Sequence, residues 1–152
     1  MRIPGRNHGF TLLELILVMF IVVLAVGAIS VNIGHGNVSV KLKTVARDIA
    51  SALRYAHGQA LMTRQPVWVE FNLAKNEYRI SGRDKNYEFS DQIDVSMTIA
   101  EESFDQQGSG RIQFYPDGSS SGGRIDLEWE GFLQRIDINW LNGKVSITDV
   151  AE

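Results

Sequence analysis

The longest apolar run of the chain extends from Phe10 to Ile33 and contains a single charged side chain, Glu14. As an α-helix this run would be about 36 Å long at about 1.5 Å per residue, enough to cross a hydrocarbon core of about 30 Å. We therefore predict a transmembrane helix over residues 10–33. A cleaved secretory signal is the alternative, but the apolar region of such signals is typically only about 7–15 residues long.

An amphipathic pattern follows this run. The sequence GHGN at Gly34–Asn37 predicts a break or a kink, because glycine weakens a helix. Beyond it, apolar residues recur at spacings of three and four: Val38, Leu42, Val45, Ile49, Ala52, Leu53, Ala56 and Ala60. Over residues 34–64 this predicts a stem helix with one apolar face and basic residues on the other. The stem should end near Arg64, because Pro66 disfavours helical backbone at Gln65.

Alternation of apolar and polar positions predicts β-strands in the head, residues 65–152. The segments PVWVEFN and EYRIS flank Leu73–Asn76 and predict a hairpin. From Ile93 to Ile99 the alternation is strict, which predicts a strand with one buried face. Further predicted strands are RIQFY, RIDLEWE, RIDINW and KVSIT, and Asn142-Gly143 between the last two is a strong hairpin signal. PDGSSSGG at Pro116–Gly123 predicts a loop. The fold class indicated is α+β.

Charge is distributed unevenly along the chain. Residues 1–9 hold Arg2 and Arg6 and no acid, and residues 38–64 hold five basic residues and one acid. Residues 65–152 hold eight basic and sixteen acidic residues, a net charge of −8. Phosphate is repelled by such a head, so nucleic-acid binding across it is not expected. The chain has no cysteine, which excludes disulfides and thiolate metal sites.

The start of the apolar run resembles a type IV prepilin signal. RNHGFTLLE, residues 6–14, has the basic leader ending in glycine, then Phe, Thr, Leu and a Glu five residues into the mature chain. The resemblance implies that residues 1–9 are a leader peptide held on the cytoplasmic side. It also implies that a membrane prepilin peptidase cuts between Gly9 and Phe10, and that Phe10 becomes an N-methylated amino terminus.

Glu14 needs a partner in such a helix. A carboxylate in hydrocarbon costs on the order of 2.5–3.5 kcal/mol, and less near a helix end. Cleavage before Phe10 would create a free amine one helical turn away. That amine could belong to the same chain or to a neighbouring subunit, and the family favours the neighbour, which makes Glu14 an assembly residue. The alternative is that Glu14 only stabilises the positive N-terminal end of its own helix.

Two segments of the stem and head narrow the resemblance. FYPDGSSSGGRIDL at Phe114–Leu127, and RDIASALRYAHGQA at residues 47–60 leading into TRQPVWVEF, resemble the H-type minor pseudopilins of type II secretion systems, the GspH family. This resemblance implies a type IV pilin-like fold, in which a long N-terminal helix packs on two antiparallel sheets. Minor pilins of the FimT/FimU kind share the head motif, so a minor pilin in pilus initiation or DNA uptake is the alternative.

The resemblance also implies a location and partners. The protein would be a single-pass inner-membrane protein with its head in the periplasm. It would join other major and minor pseudopilins near the tip of a periplasmic pseudopilus, built on an inner-membrane assembly platform. The fibre would push folded exoproteins through an outer-membrane channel. This role is structural, so we expect no catalytic residues and no cofactor. Our own hypothesis adds that basic stems and acidic heads complement each other between subunits, the alternative being two solvated faces.

Other candidate sites are weak. His8, His35 and His57 lie too far apart to predict a metal cluster, and His57 is interpreted as a packing or surface residue. The acidic cluster of Glu101, Glu102 and Asp105 could hold Ca²⁺ or be solvated.

Trp68, Trp129 and Trp140 lie in strand patterns and are predicted to be mostly core, with one of them as a possible binding anchor. Ser119–Ser121 show no readable triad partners.

Overall fold

A computed structural model describes residues 11–100 and 109–150, with the backbone only over residues 26–37. Two compact units make up the chain, residues 1–37 and residues 38–152. The elements along the described residues are α1 (Leu12–Thr63), β1 (Val67–Asn72), β2 (Glu77–Ile80), β3 (Asn86–Glu88), β4 (Asp94–Thr98), β5 (Ser109–Phe114), β6 (Gly123–Trp129), β7 (Phe132–Ile138) and β8 (Val145–Val150).

The helix α1 continues through Gly34–Asn37 without interruption, so a break there is wrong, and a kink stays a prediction. Each interior glycine costs about 1 kcal/mol relative to alanine. Once a helix is formed, however, every further residue adds a hydrogen bond, and the long helical segments on both sides outweigh that cost. The helix ends at Thr63, and Arg64 follows with a left-handed φ of 55°. This backbone conformation terminates helices, and Pro66 comes two residues later.

The strands form two antiparallel sheets, which confirms the α+β prediction. The first sheet has the order β3-β2-β1-β5 and the second has the order β4-β6-β7-β8. The hairpin across Leu73–Asn76 is confirmed, with Asn72 opposite Glu77. The strand predicted between Ile93 and Ile99 is present as β4, and the four later strand patterns correspond to β5, β6, β7 and β8. The short β3 was not predicted, because its three residues, Asn86–Glu88, are too few to show a period and none of them is buried.

The hairpin between β7 and β8 is confirmed, but its turn is longer than two residues. Ile138 pairs with Val145, and the Asn139 N–H donates to the Lys144 carbonyl oxygen at 2.9 Å. The Asn139 side-chain oxygen accepts hydrogen bonds from the N–H groups of Leu141 and Asn142, at 2.9 and 3.3 Å. Asn139 thereby ends the strand, and the inward alternation of Ile136 and Ile138 does not continue to residue 140.

This strand end explains why the prediction of a core position is wrong for Trp140, whereas Trp129 packs against the core. Trp68 and Trp129 are half-buried. Trp140 lies in the turn beyond β7 and is 66% exposed. A periodic pattern that crosses the end of a strand therefore places its last apolar residue on the surface.

The core lies between the stem part of α1 and both sheets. The stem contributes a fully buried face of leucine, isoleucine and small alanine side chains: Leu42, Ala46, Ile49, Leu53, Ala56 and Ala60. Facing residues come from both sheets: Val69, Phe71, Ile112, Phe114, Ile125, Leu127 and Ile136. Alanine on the helix lets the sheets approach its backbone closely, so the large side chains of the strands fill the remaining space. The apolar face predicted for the stem is confirmed.

Candidate assembly surfaces

The N-terminus of α1 is capped by Thr11. Its hydroxyl oxygen accepts a hydrogen bond from the N–H of Glu14 at 3.2 Å, and its carbonyl oxygen accepts one from the N–H of Leu15 at 3.2 Å. A threonine followed three residues later by a glutamate has the spacing of a capping box. The Glu14 carboxylate therefore belongs to the first turn, where the helix dipole favours negative charge. The predicted cleavage residues, Gly9 and Phe10, lie outside the described residues.

The first part of α1 presents apolar side chains to its surroundings. Every apolar residue from Leu12 to Leu24 is exposed, by between 49% at Val22 and 81% at Leu12. A helix that is apolar on all sides is stable where lipid or other protein surrounds it. Among the residues that the structure describes, no helix meets the combined length and hydropathy of a membrane span.

Basic residues of the stem contact the second sheet of the same chain. Lys43 forms an ion pair with Asp149, with 2.8 Å between Nζ and Oδ2. Arg54 donates a hydrogen bond to the carbonyl oxygen of Val145 at 3.0 Å, which covers part of the edge of β8. Charge complementarity between a basic stem and an acidic head is thus found within one chain. Complementarity between subunits stays a prediction.

At the C-terminal end of the stem, His57 packs against two loops. Its Nε2 donates a hydrogen bond to the carbonyl oxygen of Gly118 at 3.1 Å, and its ring lies 5.5 Å from that of Phe114. Gly143 approaches so closely that an ideal Cβ there would lie 2.7 Å from His57 Nε2 and 2.8 Å from the Gly118 oxygen. These contacts agree with the interpretation of His57 as a packing residue.

A groove of about 680 Å³ lies between the stem and the hairpin of β2 and β3. The guanidinium of Arg83 stands 4.0 Å from the ring centre of Tyr55 and donates to the Tyr87 hydroxyl at 3.1 Å. Burial raises the pKa of Tyr78 to about 12, and the nearby charge of Asp48 adds to this shift. The Tyr78 hydroxyl is therefore protonated at every physiological pH. The groove combines aromatic side chains with two acids, Asp48 and Glu88, and two basic residues, Arg83 and Lys85.

The other candidate residues serve the loops or lie outside the described part of the chain. Ser119 donates to the carboxylate of Asp117 at 2.6 Å, and Ser120 donates to the carbonyl oxygen of Asn139 at 3.1 Å. The acidic cluster at residues 101–105 falls outside the described residues, as do His8 and the side chain of His35. Within residues 11–100 and 109–150, no group of three or more His, Asp or Glu side chains could hold a metal ion.

Comparisons with known proteins agree with this arrangement. Residues 45–142 match the sequence family described as type II transport protein GspH, and residues 4–30 match the prokaryotic N-terminal methylation motif. The type II secretion system protein H of Xanthomonas campestris pv. campestris is 31% identical over 138 residues, covering 91% of this chain and 81% of that protein.

Two solved structures show a similar fold. The minor pseudopilin EpsH of the Vibrio cholerae type 2 secretion system superposes with a TM-score of 0.58 at 11% identity, covering 74% of this chain and 99% of that one. The type IV minor pilin FimU of Pseudomonas aeruginosa superposes with a TM-score of 0.56 at 10% identity, covering 70% and 87%. At such identities these likenesses concern the fold alone. The family match covers more than half of the chain, and the secretion relative is above 30% identity over nearly all of it. The chain therefore belongs to the GspH family and is a minor pseudopilin of a type II secretion system.

Proposed function

We propose that this chain is processed as a prepilin, held in the inner membrane and assembled as a structural subunit near the tip of the periplasmic pseudopilus. The proposal rests on a difference in side-chain exposure between the two parts of α1. Its apolar side chains from Leu12 to Leu24 are exposed, whereas the face from Leu42 to Ala60 is buried in the head. One helix thus offers an apolar surface to lipid or to neighbouring helices, while its other part anchors a folded domain.

Processing would take place at the start of this helix. A prepilin peptidase would cut between Gly9 and Phe10, and Phe10 would carry the methyl group. The match to the N-terminal methylation motif supports this step. Glu14 would then attract the new amine of a neighbouring subunit during assembly. The cap formed by Thr11 is compatible with that role, since it uses the backbone N–H of Glu14 and leaves the carboxylate free to pair.

The proposed topology follows the predicted segments. Residues 1–9 would be cytoplasmic, residues 10–33 would cross the inner membrane once, and residues 34–64 and 65–152 would be the stem and head in the periplasm. An inner-membrane platform would add subunits below, and the growing fibre would push folded exoproteins through the outer-membrane channel. The chain would act mechanically, without catalytic residues or a cofactor. Nucleic acid is not an expected partner, because the head is acidic.

A minor pilin of a type IV pilus is the second candidate. The similarity to FimU supports it as far as the fold is concerned. Because the TM-scores to FimU and to EpsH differ by only 0.02, the fold does not separate a pilus from a pseudopilus. The GspH family match and the Xanthomonas relative favour secretion.

Mass spectrometry of the chain purified from its own cells tests the processing step. We expect a mature chain that begins with N-methylated Phe10, and a chain that retains Met1 when the peptidase gene is deleted. Deletion of the gene for this chain should in turn leave exported proteins in the periplasm. An unprocessed chain in wild-type cells, or normal export without the chain, would refute the proposed function.

A further inference from the structure

A cavity of about 350 Å³ lies between the last turns of the stem, the start of β1 and the loop after β2 (residues 81–85). We call it the polar pocket. It adjoins the groove beside the hairpin of β2 and β3, because Tyr55 and Arg83 line both cavities. The functional groups in its lining are two aromatic rings, three polar side chains and one guanidinium: Tyr55, Trp68, Gln59, Thr63, Gln65 and Arg83.

The walls of the polar pocket are held by regular structure. Tyr55, Gln59 and Thr63 follow one another at spacings of four residues, which places them on one face of α1. On the opposite side the loop after β2 is attached to β1. The Ser81 N–H donates to the Trp68 carbonyl oxygen at 2.9 Å, and the Trp68 N–H donates to the Ser81 hydroxyl at 3.0 Å. A pocket formed before its ligand arrives loses little conformational entropy on binding.

The charge of the polar pocket is opposite to that of the head as a whole. The head holds sixteen acidic and eight basic residues. None of the residues that line the polar pocket is acidic, however, and Arg83 among them is basic. The pocket therefore suits an anionic ligand, which the negative charge on the rest of the head repels.

The guanidinium of Arg83 is oriented by two tyrosines. It lies 4.0 Å from the centre of the Tyr55 ring, and one of its N–H groups donates to the Tyr87 hydroxyl at 3.1 Å. Within the described part of the chain no carboxylate forms an ion pair with it. A guanidinium that stacks on a ring keeps its other in-plane N–H groups available, and their geometry matches the two oxygens of a carboxylate.

The other side chains of the pocket indicate a sugar. The negative ring faces of Tyr55 and Trp68 attract the partly positive C–H groups that cover the faces of a sugar ring. The amides of Gln59 and Gln65 supply both donors and acceptors, which suit hydroxyl and N-acetyl groups. The volume is at the lower end of ligand pockets, about 300–1,000 Å³. This is room for one sugar ring, with its neighbours in the adjoining groove.

An extended peptide fits this place less well. Peptides that bind beside a sheet commonly pair with a free strand edge. At the polar pocket the two nearest strands have no free edge, because β1 lies between β2 and β5, and β2 lies between β1 and β3. A peptide would therefore have to bind through its side chains alone.

We propose that the polar pocket binds a saccharide that carries a carboxylate. Arg83 would bind the carboxylate, Tyr55 and Trp68 would pack on the ring, and the two glutamines would bind its polar substituents. The source of the saccharide rests on the proposed function, which places the head in the periplasm. The glycan strands of the cell wall lie there, and their alternate sugars carry a lactyl carboxylate. Binding would attach the head to the wall that the fibre crosses.

Two oligosaccharides that differ in the lactyl carboxylate test the proposal. The full-length chain in detergent is titrated, in a calorimeter, with peptide-free glycan oligomers of the cell wall and with N-acetylglucosamine oligomers of equal length. We expect the wall glycan to bind at least about tenfold more tightly, because only it offers a charged acceptor to Arg83. Equal affinities, binding of neither oligomer, or tighter binding of peptides released from the wall would overturn the proposal.

A matched pair of variants locates the site. Arg83→Gln should weaken binding of the wall glycan at least about tenfold and abolish the preference over the neutral oligomer. Arg79→Gln is the control, because Arg79 pairs with Glu70 outside the polar pocket and should bind the glycan as wild type does. Equal affinities of the two variants would overturn the proposal.

A further variant covers the case in which Arg83→Gln unfolds through the loss of its tyrosine contacts. Gln65 is exposed and lies outside the core, so Gln65→Ala should keep the melting temperature and still weaken glycan binding. Wild-type affinity in this variant would overturn the proposal. Because binding is measured on the purified chain, the result is independent of export. If deletion of the gene leaves export unchanged, the proposed function fails, whereas a chain that supports export and binds no glycan refutes this inference alone.

Discussion

Lys43 Nζ lies 2.8 Å from Asp149 Oδ2 and joins the stem helix to the last strand of the head. The hydrogen bond from Lys43, and after it one from Gln134, lowers the pKa of the Asp149 carboxyl below its ordinary value of 3.8. Arg54 ties the beginning of the same strand to the same helix. The edge strand β8 is therefore attached to α1 by polar contacts at both of its ends.

The first prediction concerns the pH dependence of this ion pair. A carboxyl whose pKa is lowered by folding stabilises the protein above its unfolded-state pKa, and this stabilisation is lost as the pH falls through the folded-state pKa. Asp149→Asn should therefore destabilise the protein slightly at pH 7, and the difference from wild type should vanish as the pH falls below about 4. Urea unfolding midpoints of both proteins between pH 7 and pH 2 measure this. Midpoints that stay equally far apart in acid would show that the charge is not responsible.

The second prediction compares two glycines. Gly143 has a φ of 62°, and an added Cβ would meet His57 and Gly118 within 3 Å, so Gly143→Ala should cost on the order of 2 kcal/mol of unfolding free energy. Gly58 is helical, and an added Cβ there would have nothing within 4 Å. Gly58→Ala should therefore stabilise the protein by up to about 1 kcal/mol. Chemical denaturation of both variants gives the two free energies, and a tolerated alanine at residue 143 would contradict the tight contact with His57.

The third prediction uses two leucines of the stem. Leu53 is fully buried in the core, and Leu61 is 46% exposed. Leu53→Ala should lower the unfolding free energy by about 2–5 kcal/mol, because it removes buried methyl groups and leaves a cavity. Leu61→Ala should lower it by less than about 1 kcal/mol. Equal losses in urea unfolding would mean that the stem does not pack with the predicted face.

Periodicity was enough to predict the stem and most strands, because those elements each bury one face. Leu42 and Ile49 recur at helical spacing and are fully buried, and the alternation around Val95 corresponds to β4. The division of strands between two sheets could not be predicted in this way. Val67 pairs with Phe114 across a long stretch of sequence, and no local pattern encodes such a partner.

The errors in the sequence prediction also have local causes. Gly34 and Gly36 do not interrupt α1, because the helix is long on both sides of them. The strand β3 is too short and too polar to show a pattern. For Trp140, the alternation after Ile138 predicted burial. The side-chain oxygen of Asn139, however, accepts hydrogen bonds from the N–H groups of Leu141 and Asn142, so the strand ends and a turn begins. The exposure of Trp140 could therefore not be predicted from its strand-like sequence. The three-residue spacing of Thr11 and Glu14 was the one signal in the chain that could have predicted the helix cap.

The fourth prediction separates two roles of Glu14. If the carboxylate attracts a free amine in a neighbouring subunit, Glu14→Gln should block assembly and export although the variant is still processed before Phe10. If Glu14 only supports its own helix, glutamine should retain most of the function, because it also suits the third position of a capping box. Immunoblots of sheared fibres, together with export assays, distinguish these outcomes once processing has been verified by mass spectrometry.

Thr11→Ala is the matched control for Glu14→Gln. It removes the hydroxyl that accepts the Glu14 N–H at 3.2 Å and leaves the carboxylate in place. Loss of an N-cap costs about 0.5–2 kcal/mol of helix stability, so a role confined to the helix end predicts that Thr11→Ala impairs assembly more than Glu14→Gln does. The assembly role predicts the reverse order, because only the glutamine variant loses the negative charge. Since both variants alter the same helical turn, their ranking depends on charge or on capping and not on the apolar surface of the helix.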